Sequence, residues 1–497
     1  MRKGFLIVLA VVLVAAVAAP AMAGMDVSGF VRSKAYMSNF KNGATQPVLK
    51  EDAPTASYVE QRLRAKFSFG EENVKAVWFV ETDFGAFGDS AGSAPPANTT
   101  GGAFRNSGGA LGGDRINLET KNIYIWFKVP NTSIDFTVGL QNRTDRFAGL
   151  LYGGSDQAGI FATGKLEPAS FTLGWAKLYE NNFQKWDDVT LYLAEAQFAP
   201  TKDAKIGATF SYLADDSQKV SGVTTQLPVP TVAGQENKKG IYTVGLDGTF
   251  GLGPASLTGF ALYQFGKIDY LGTTAASPQD KDVNGWAADL RADLNLGPGK
   301  FFIEGLYVSG DSKDDNTADY KSIVTLNDVN SSPGGNSFYG RTDMVILLSN
   351  ADDINTNTAL IGAAAVPGLA YTSRGTVCAS SPGNCGRGIW HIGAGFSMPL
   401  GKQLTGKVGA GYLSASKTLD NADANRKGEG MGTEVNASLN YNIMKGLDVG
   451  LVGAYAWLGD FYKNNNTGAT GVPITGVSGT KDPDDIYDVH MRLNYAF

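Results

Sequence analysis

Few residues in this 497-residue chain have a type and spacing suited to covalent chemistry. The two histidines, His391 and His490, stand far apart in sequence. No Cys/His group has the spacing of a zinc site. There is no Cys-x-x-Cys-His to hold a c-type haem, no Gly-x-Ser-x-Gly elbow and no phosphate-binding loop. No catalytic residue and no resident metal is therefore expected. Cys378 and Cys385 lie in CASSPGNC, with Pro382 and Gly383 between them and no adjacent histidine. That suits a disulfide closing a small loop better than a metal or redox pair. Asp311, Asp314, Asp315 and Asp319 form an oxygen-rich run that could take calcium, against the plainer reading of a solvated loop.

What the chain offers instead is charge set out in rows. A strand turns successive side chains to opposite faces. Val59, Leu63, Ala65, Phe67 and Phe69 then share one face, and Glu60, Arg62, Arg64 and Lys66 the other. In the next segment Val74, Ala76, Trp78 and Val80 oppose Lys75, Glu81 and Asp83. Farther on, Trp286, Ala288, Leu290, Ala292 and Leu294 oppose Asp289, Arg291, Asp293 and Asn295. Val435, Ala437, Leu439 and Tyr441 likewise oppose Glu434, Asn436, Ser438 and Asn440. An Arg or Lys facing lipid at mid-membrane costs roughly 2–4 kcal/mol, so faces carrying several must meet water. A packed core would not accept these charges unpaired. An aqueous lumen inside an apolar outer wall satisfies both faces. One segment is untidy: Ile123, Ile125 and Phe127 compete with Tyr124 and Trp126 for the outer face, and a bulge there would explain it.

The elements that position these rows can be counted. Residues 1–23 read as a signal peptide, with basic Arg2 and Lys3, an apolar run from Phe5 to Ala19 and a small-residue site at Ala21-Met22-Ala23. The mature chain would begin near Gly24. Beyond it, no stretch approaches the ~20 apolar residues that a spanning helix needs. Short turns recur at 70–73, 130–131, 167–168, 200–202, 251–254, 297–299, 399–401 and 444–446, rich in Gly and Pro. Between them lie longer polar connections at 38–56, 85–113, 144–158, 181–186, 215–237, 270–280, 311–386, 418–429 and 462–483. Alternating long and short connections mark an antiparallel barrel with loops on one rim and tight turns on the other. The breaks predict an all-β, transmembrane antiparallel barrel of eighteen strands, or sixteen if one hairpin is misread, forming a single domain over 24–497. The sixth strand, 159–166, is the shortest. The stretch 337–370 reads as a folded part of the longest loop, 311–386, rather than as strands.

The composition agrees. Half of each barrel strand faces water, so aromatics of 11% and 63 glycines coexist with near-neutral hydropathy. A net charge of −6, or −8 without Arg2 and Lys3, argues against nucleic acid as a partner.

The final eleven residues carry a resemblance. Tyr487, Val489, Met491, Leu493, Tyr495 and Phe497 alternate with Asp488, His490, Arg492, Asn494 and Ala496. An aromatic last residue, Phe497, with Tyr495 two places earlier resembles the closing strand of gram-negative outer-membrane porins. That resemblance implies an outer-membrane barrel read by the barrel assembly machinery and embedded in lipid and lipopolysaccharide. It implies passive conduction of ions and small hydrophilic solutes, often by a homotrimer. It also implies that the third outer loop, 144–158, folds inward as a constriction, which would involve Asp145, Arg146 and Asp156. A count of eighteen would lean toward a substrate-preferring porin for sugars or small acids. The alternative is a barrel sheath around an electron-transfer or transport partner.

Closure should pair the last strand with the first. The inner faces then bring Arg32, Lys34, Arg62, Arg64, Lys66, His490 and Arg492 into one basic sector, extended by Arg143. Of the pore-lining acids, Glu81 and Asp83 would lie nearby, Asp289 and Asp293 across the barrel and Glu434 on the sixteenth strand; the plainer reading is that all are solvated wall charges with no selective role. Separated rows would set a transverse field and an ion preference.

Overall fold

Alternating segments bounded by Gly/Pro turns fold into one closed sheet. The computed structural model describes residues 24–40, 52, 54–84, 87, 118–180, 183–184, 186–216, 237–270, 280–310, 319–326, 339–348, 386–417, 428–462 and 483–497. The signal segment, Cys378, Cys385, Asp311, Asp314 and Asp315 lie outside these residues. The first nine spanning strands are β1 (Gly24–Ser38), β2 (Ala56–Glu71), β3 (Val74–Phe84), β4 (Glu119–Lys128), β5 (Ile134–Arg143), β6 (Ser155–Leu166), β7 (Ala169–Tyr179), β8 (Val189–Thr201) and β9 (Ala204–Asp215). The second nine are β10 (Asn237–Leu252), β11 (Ala255–Tyr270), β12 (Lys281–Leu296), β13 (Gly299–Val308), β14 (Ile389–Pro399), β15 (Leu404–Ala415), β16 (Gly430–Met444), β17 (Leu447–Leu458) and β18 (Ile486–Ala496).

Every spanning strand pairs antiparallel with its sequence neighbour, and β18 pairs with β1. The count is eighteen, not sixteen. The closing register sets Arg32 opposite Asn494, Lys34 opposite Arg492 and Tyr36 opposite His490. Phe497 extends the seam: its N–H donates to the Gly29 carbonyl at 3.0 Å, and its carbonyl accepts from the Gly29 N–H at 2.9 Å. The start of β1 and the end of β18 thus both lie on the tight-turn rim. Asn131 (φ 61°) and Gly297 (φ 60°) hold left-handed positions in those turns, which their residue types tolerate.

The face assignment holds with local exceptions. Trp286, Leu290, Ile303, Ile392, Val408, Leu451 and Met491 are exposed on the outer wall. An aromatic ladder crosses four adjacent strands outside: Tyr192, Tyr212, Tyr242 and Phe265 stack at centroid spacings of 6.1, 4.5 and 5.2 Å. On β4, Ile123 and Ile125 point outward, so Tyr124 and Trp126 point inward. The bulge lies in β4 itself: Phe79 and Val80 of β3 pair with Asn122 and Thr120, which leaves Lys121 as the extra residue. The sixth strand is longer than expected, because Ser155 to Ala158 continue pairing with β5. The third outer loop shortens to 144–154. Asp156 therefore belongs to β6, not to the constricting loop, and sits opposite Asn142.

Candidate functional site: the lumen and its inward loops

The basic sector forms, but its charges are not separated from acids. In the β2–β3 register, Arg62 faces Asp83 and Arg64 faces Glu81. Arg62 donates to Asp83 through Nε (2.6 Å to Oδ1) and Nη2 (2.7 Å to Oδ2), and Arg64 donates to Glu81. Arg492 reaches Asp448 of β17 at 3.1 Å, and Arg143 reaches Glu195 of β8 at 3.6 Å. His490 lies 3.0 Å from Asp488 and against the Tyr36 ring. Arg32 bonds the Asn494 amide oxygen at 3.2 Å, and Lys34 is fully buried beside Tyr36. The expected rows of opposite sign are thus interleaved pairs. Directly opposed cross-strand residues have Cβ atoms about 5 Å apart, close enough for an acid to engage its facing base. A wall of pairs projects a weaker transverse field than separated rows would.

The third outer loop turns into the barrel and is tied there. Asp145 organises it: the carboxylate accepts four backbone N–H bonds, from Phe147, Gly149, Leu151 and Tyr152, at 2.7–2.9 Å. Burial pushes its carboxyl up to about 6, against the four N–H donors that favour the charged form. Arg146 crosses to β10 and grips Asp247 with two bonds, 2.7 and 2.8 Å. Phe147 packs edge-on against Phe260 of β11 at 5.5 Å. Gly207 and Gly245 make room for these side chains; a Cβ at Gly245 would collide with the Phe147 ring.

Two described pieces of the connection between β13 and β14, residues 319–326 and 339–348, also enter the lumen. Ile323, Val324, Leu326, Tyr339, Met344, Ile346, Leu347 and Leu348 are all buried. The wall holds these pieces by their backbone. Gln264 of β11 accepts the Val324 N–H at 2.7 Å and donates to its carbonyl at 3.0 Å. Glu434 of β16 accepts from Val345, Ile346 and Leu347 at 2.6, 2.9 and 2.9 Å. Asp289 of β12 takes the Tyr339 hydroxyl at 2.8 Å and the Arg341 guanidinium. Asp293 pairs with Arg291 and Lys300, each at 3.2 Å, and Arg291 also bonds Glu304 at 2.8 Å. His391 contacts Glu304 at 3.1 Å. The two inward loops meet: Leu326 N–H donates to the Leu151 carbonyl (2.9 Å) and Gly340 N–H to the Ala148 carbonyl (2.7 Å). Asp319 lies in a two-residue parallel bridge to β12 and faces Asp282 there.

Two of the residues expected to line a pore, Asp289 and Glu434, thus anchor a plug. Sequence reasoning also missed the apolar inner wall that packs on it. Val283 and Ala287 on β12, Leu413 and Ala415 on β15, and Ala456 and Leu458 on β17 face inward near the long-loop rim. A signal was present, since inward positions change from charged to apolar along each of these strands.

The lumen beside β2–β5 is different. A cavity of about 410 Å³ remains there, fronted by Lys66, Lys75, Phe79, Tyr124 and Trp126. Asn122, Gln141 and Asn142 close it toward the loops. Asp156 adjoins it and is engaged by Lys121 (2.9 Å), Asn122 (2.8 Å) and Asn142 (3.0 Å).

No protein-family model matches the chain, and no curated protein matches it by sequence. Solved structures do match. Pseudomonas aeruginosa OccK8 (OprE) superposes with a TM-score of 0.50, at 10% identity, over 95% of this chain and 98% of that one. A BenF-like porin from Pseudomonas fluorescens gives 0.49 at 12% identity, over 95% and 98%. The outer-membrane channel DcaP of Acinetobacter baumannii gives 0.42 at 15%, over 96% and 97%. The likeness to OccK8 is one of barrel fold.

Proposed function

We propose that the chain is a porin of the gram-negative outer membrane that passes ions and small hydrophilic solutes by passive diffusion. The observation that carries this reading is the cavity beside β2–β5, cationic and polar, left on one side of a lumen whose other side the inward loops fill. The apolar outer wall and its aromatic ladder suit a bilayer and its interface. Outer-membrane lipid and lipopolysaccharide would surround that wall, and the assembly machinery would read Tyr495 and Phe497. A homotrimer is the proposed assembly, with no catalytic role and no bound calcium required.

Single-channel recording in planar bilayers tests this. Discrete steps are expected, and their closing in threes would support a trimer. Absence of steps at every voltage would sink the porin reading. The sheath alternative is disfavoured by one observation: the chain's own inward loops pack in one apolar cluster with wall residues from Phe161 of β6 to Ile486 of β18. Copurification of a haem protein with the barrel would revive it.

A further inference from the structure

Three facing residues on adjacent strands hold both inward loops at one place. Asp247 of β10 faces Phe260 of β11, and Phe260 faces Asp289 of β12. Asp247 takes the Arg146 guanidinium of the third outer loop, and Asp289 takes the Arg341 guanidinium of segment 339–348. Phe260, only 5% exposed, stands between the two acids in the row and touches both loops. The Phe147 ring meets it edge-on at 5.5 Å, and the Arg341 guanidinium lies over its ring at 5.4 Å. The chain neighbours of these residues bond to each other: the Gly340 N–H donates to the Ala148 carbonyl at 2.7 Å. The Leu326 N–H, donating to the Leu151 carbonyl at 2.9 Å, adds the same kind of link for segment 319–326.

Each loop therefore supplies part of the other's seat. Withdrawal of the third outer loop would strand the Gly340 and Leu326 N–H groups and uncover one side of Phe260. It would also open the apolar cluster that Leu151 and Tyr152 share with Ile323 and Tyr339. Withdrawal of segment 339–348 would strand the Ala148 carbonyl and uncover the other side of Phe260. Orphaned buried backbone groups carry the full cost of lost hydration. Contacts shared in this way make release of one segment favour release of the other, by the same factor in both directions. From this juxtaposition we propose that the Asp247–Phe260–Asp289 row is a common latch that joins the third outer loop and segment 339–348 into a single gate, with Phe260 as its positioning residue. The inference goes beyond the porin reading, because joint release follows from these contacts whatever the barrel conducts.

Hydrogen exchange on the folded, detergent-solubilised full barrel tests this without requiring conduction. Two sets of amides report. Phe147 and Tyr152 are held by Asp145 in the third outer loop, and Val345, Ile346 and Leu347 by Glu434 in segment 339–348. Asp247→Ala alters a contact of the third outer loop alone, and Asp289→Asn contacts of segment 339–348 alone. Each substitution is expected to accelerate both sets, with cross effects of about tenfold that agree in the two directions. Phe260→Leu keeps an apolar side chain on the wall and removes the ring. It should accelerate both sets while the β11 amides keep their protection, which a general loosening of the wall would not allow. Heat-modifiable electrophoretic mobility confirms that each variant is folded. Acceleration confined to the loop whose acid is altered would overturn the proposal, since the loops would then release independently. Acceleration of only one set in Phe260→Leu would overturn the role of Phe260.

Discussion

Arg146 and Asp247, 101 positions apart, join the third outer loop to the β10 wall through two parallel bonds of 2.7 and 2.8 Å. This fork fixes both the distance and the plane of the guanidinium, which a lysine could not do. It makes the loop part of the wall and sets how much lumen remains.

Breaking that fork should widen the passage. Asp247→Ala leaves the half-buried guanidinium without its acceptor, at a cost of roughly 1.5–3 kcal/mol to loop docking. Single-channel conductance is expected to rise and current noise with it. Unchanged conductance would mean that the loop does not limit flow.

A steric test of the same loop uses Gly245→Ala. The added methyl group meets the Phe147 ring, and overpacking of this kind costs typically 1–3 kcal/mol. The variant should melt lower than the parent, and Phe147→Ala on the same background should recover part of the loss.

Glu434 holds three successive backbone N–H groups of the plug. Glu434→Ala strands those donors, each at about 1–3 kcal/mol if left unsatisfied. Hydrogen exchange at Val345, Ile346 and Leu347 should accelerate while the β16 amides keep their protection. Equal acceleration in both would point to a loss of the whole barrel instead.

The docking of the third outer loop should depend on pH. The Asp145 carboxyl is raised by burial to about 6, above its unfolded value of roughly 3.9. A raised pKa means that the docked loop holds the proton more tightly than the released one. The linked stabilisation is therefore complete below about pH 4 and is lost as pH rises through 6. Protection of the Phe147 and Tyr152 amides should be greater at pH 5 than at pH 8, and Asp145→Asn should flatten that difference.

Arginine removal from the basic sector should act through the acids it exposes. Arg62→Ala with Arg64→Ala frees Asp83 and Glu81 from their partners. The reversal potential in a salt gradient should move toward cation preference. No movement would show that these charges do not face the conducting path.

The sequence by itself determined the antiparallel barrel of eighteen or sixteen strands, the inner and outer faces, the rim of tight turns and the seam between last strand and first, and the pairing of neighbours settled the count at eighteen. These depend on local, repeating constraints: a side-chain period of two, turn residues at breaks, and the need to keep rows of Arg and Lys out of lipid. Even the neighbouring pair Arg62 and Asp83 was within reach, since a hairpin's register follows from its turn. Two local features escaped: the start of β6 at Ser155, which continues an unbroken register with β5, and the inward aim of Tyr124 and Trp126, because the extra residue of the β4 bulge, Lys121, is of no distinctive type. Only the tertiary structure decided what the lumen contains. Glu434 holds Val345 across 89 positions, and Gln264 holds Val324 across 60, both through backbone groups that every residue possesses. Such bonds have no side-chain signature in the inserted segment. The same Glu434 that reads as a solvated pore acid becomes, once the chain folds back on it, the acceptor that fixes the plug.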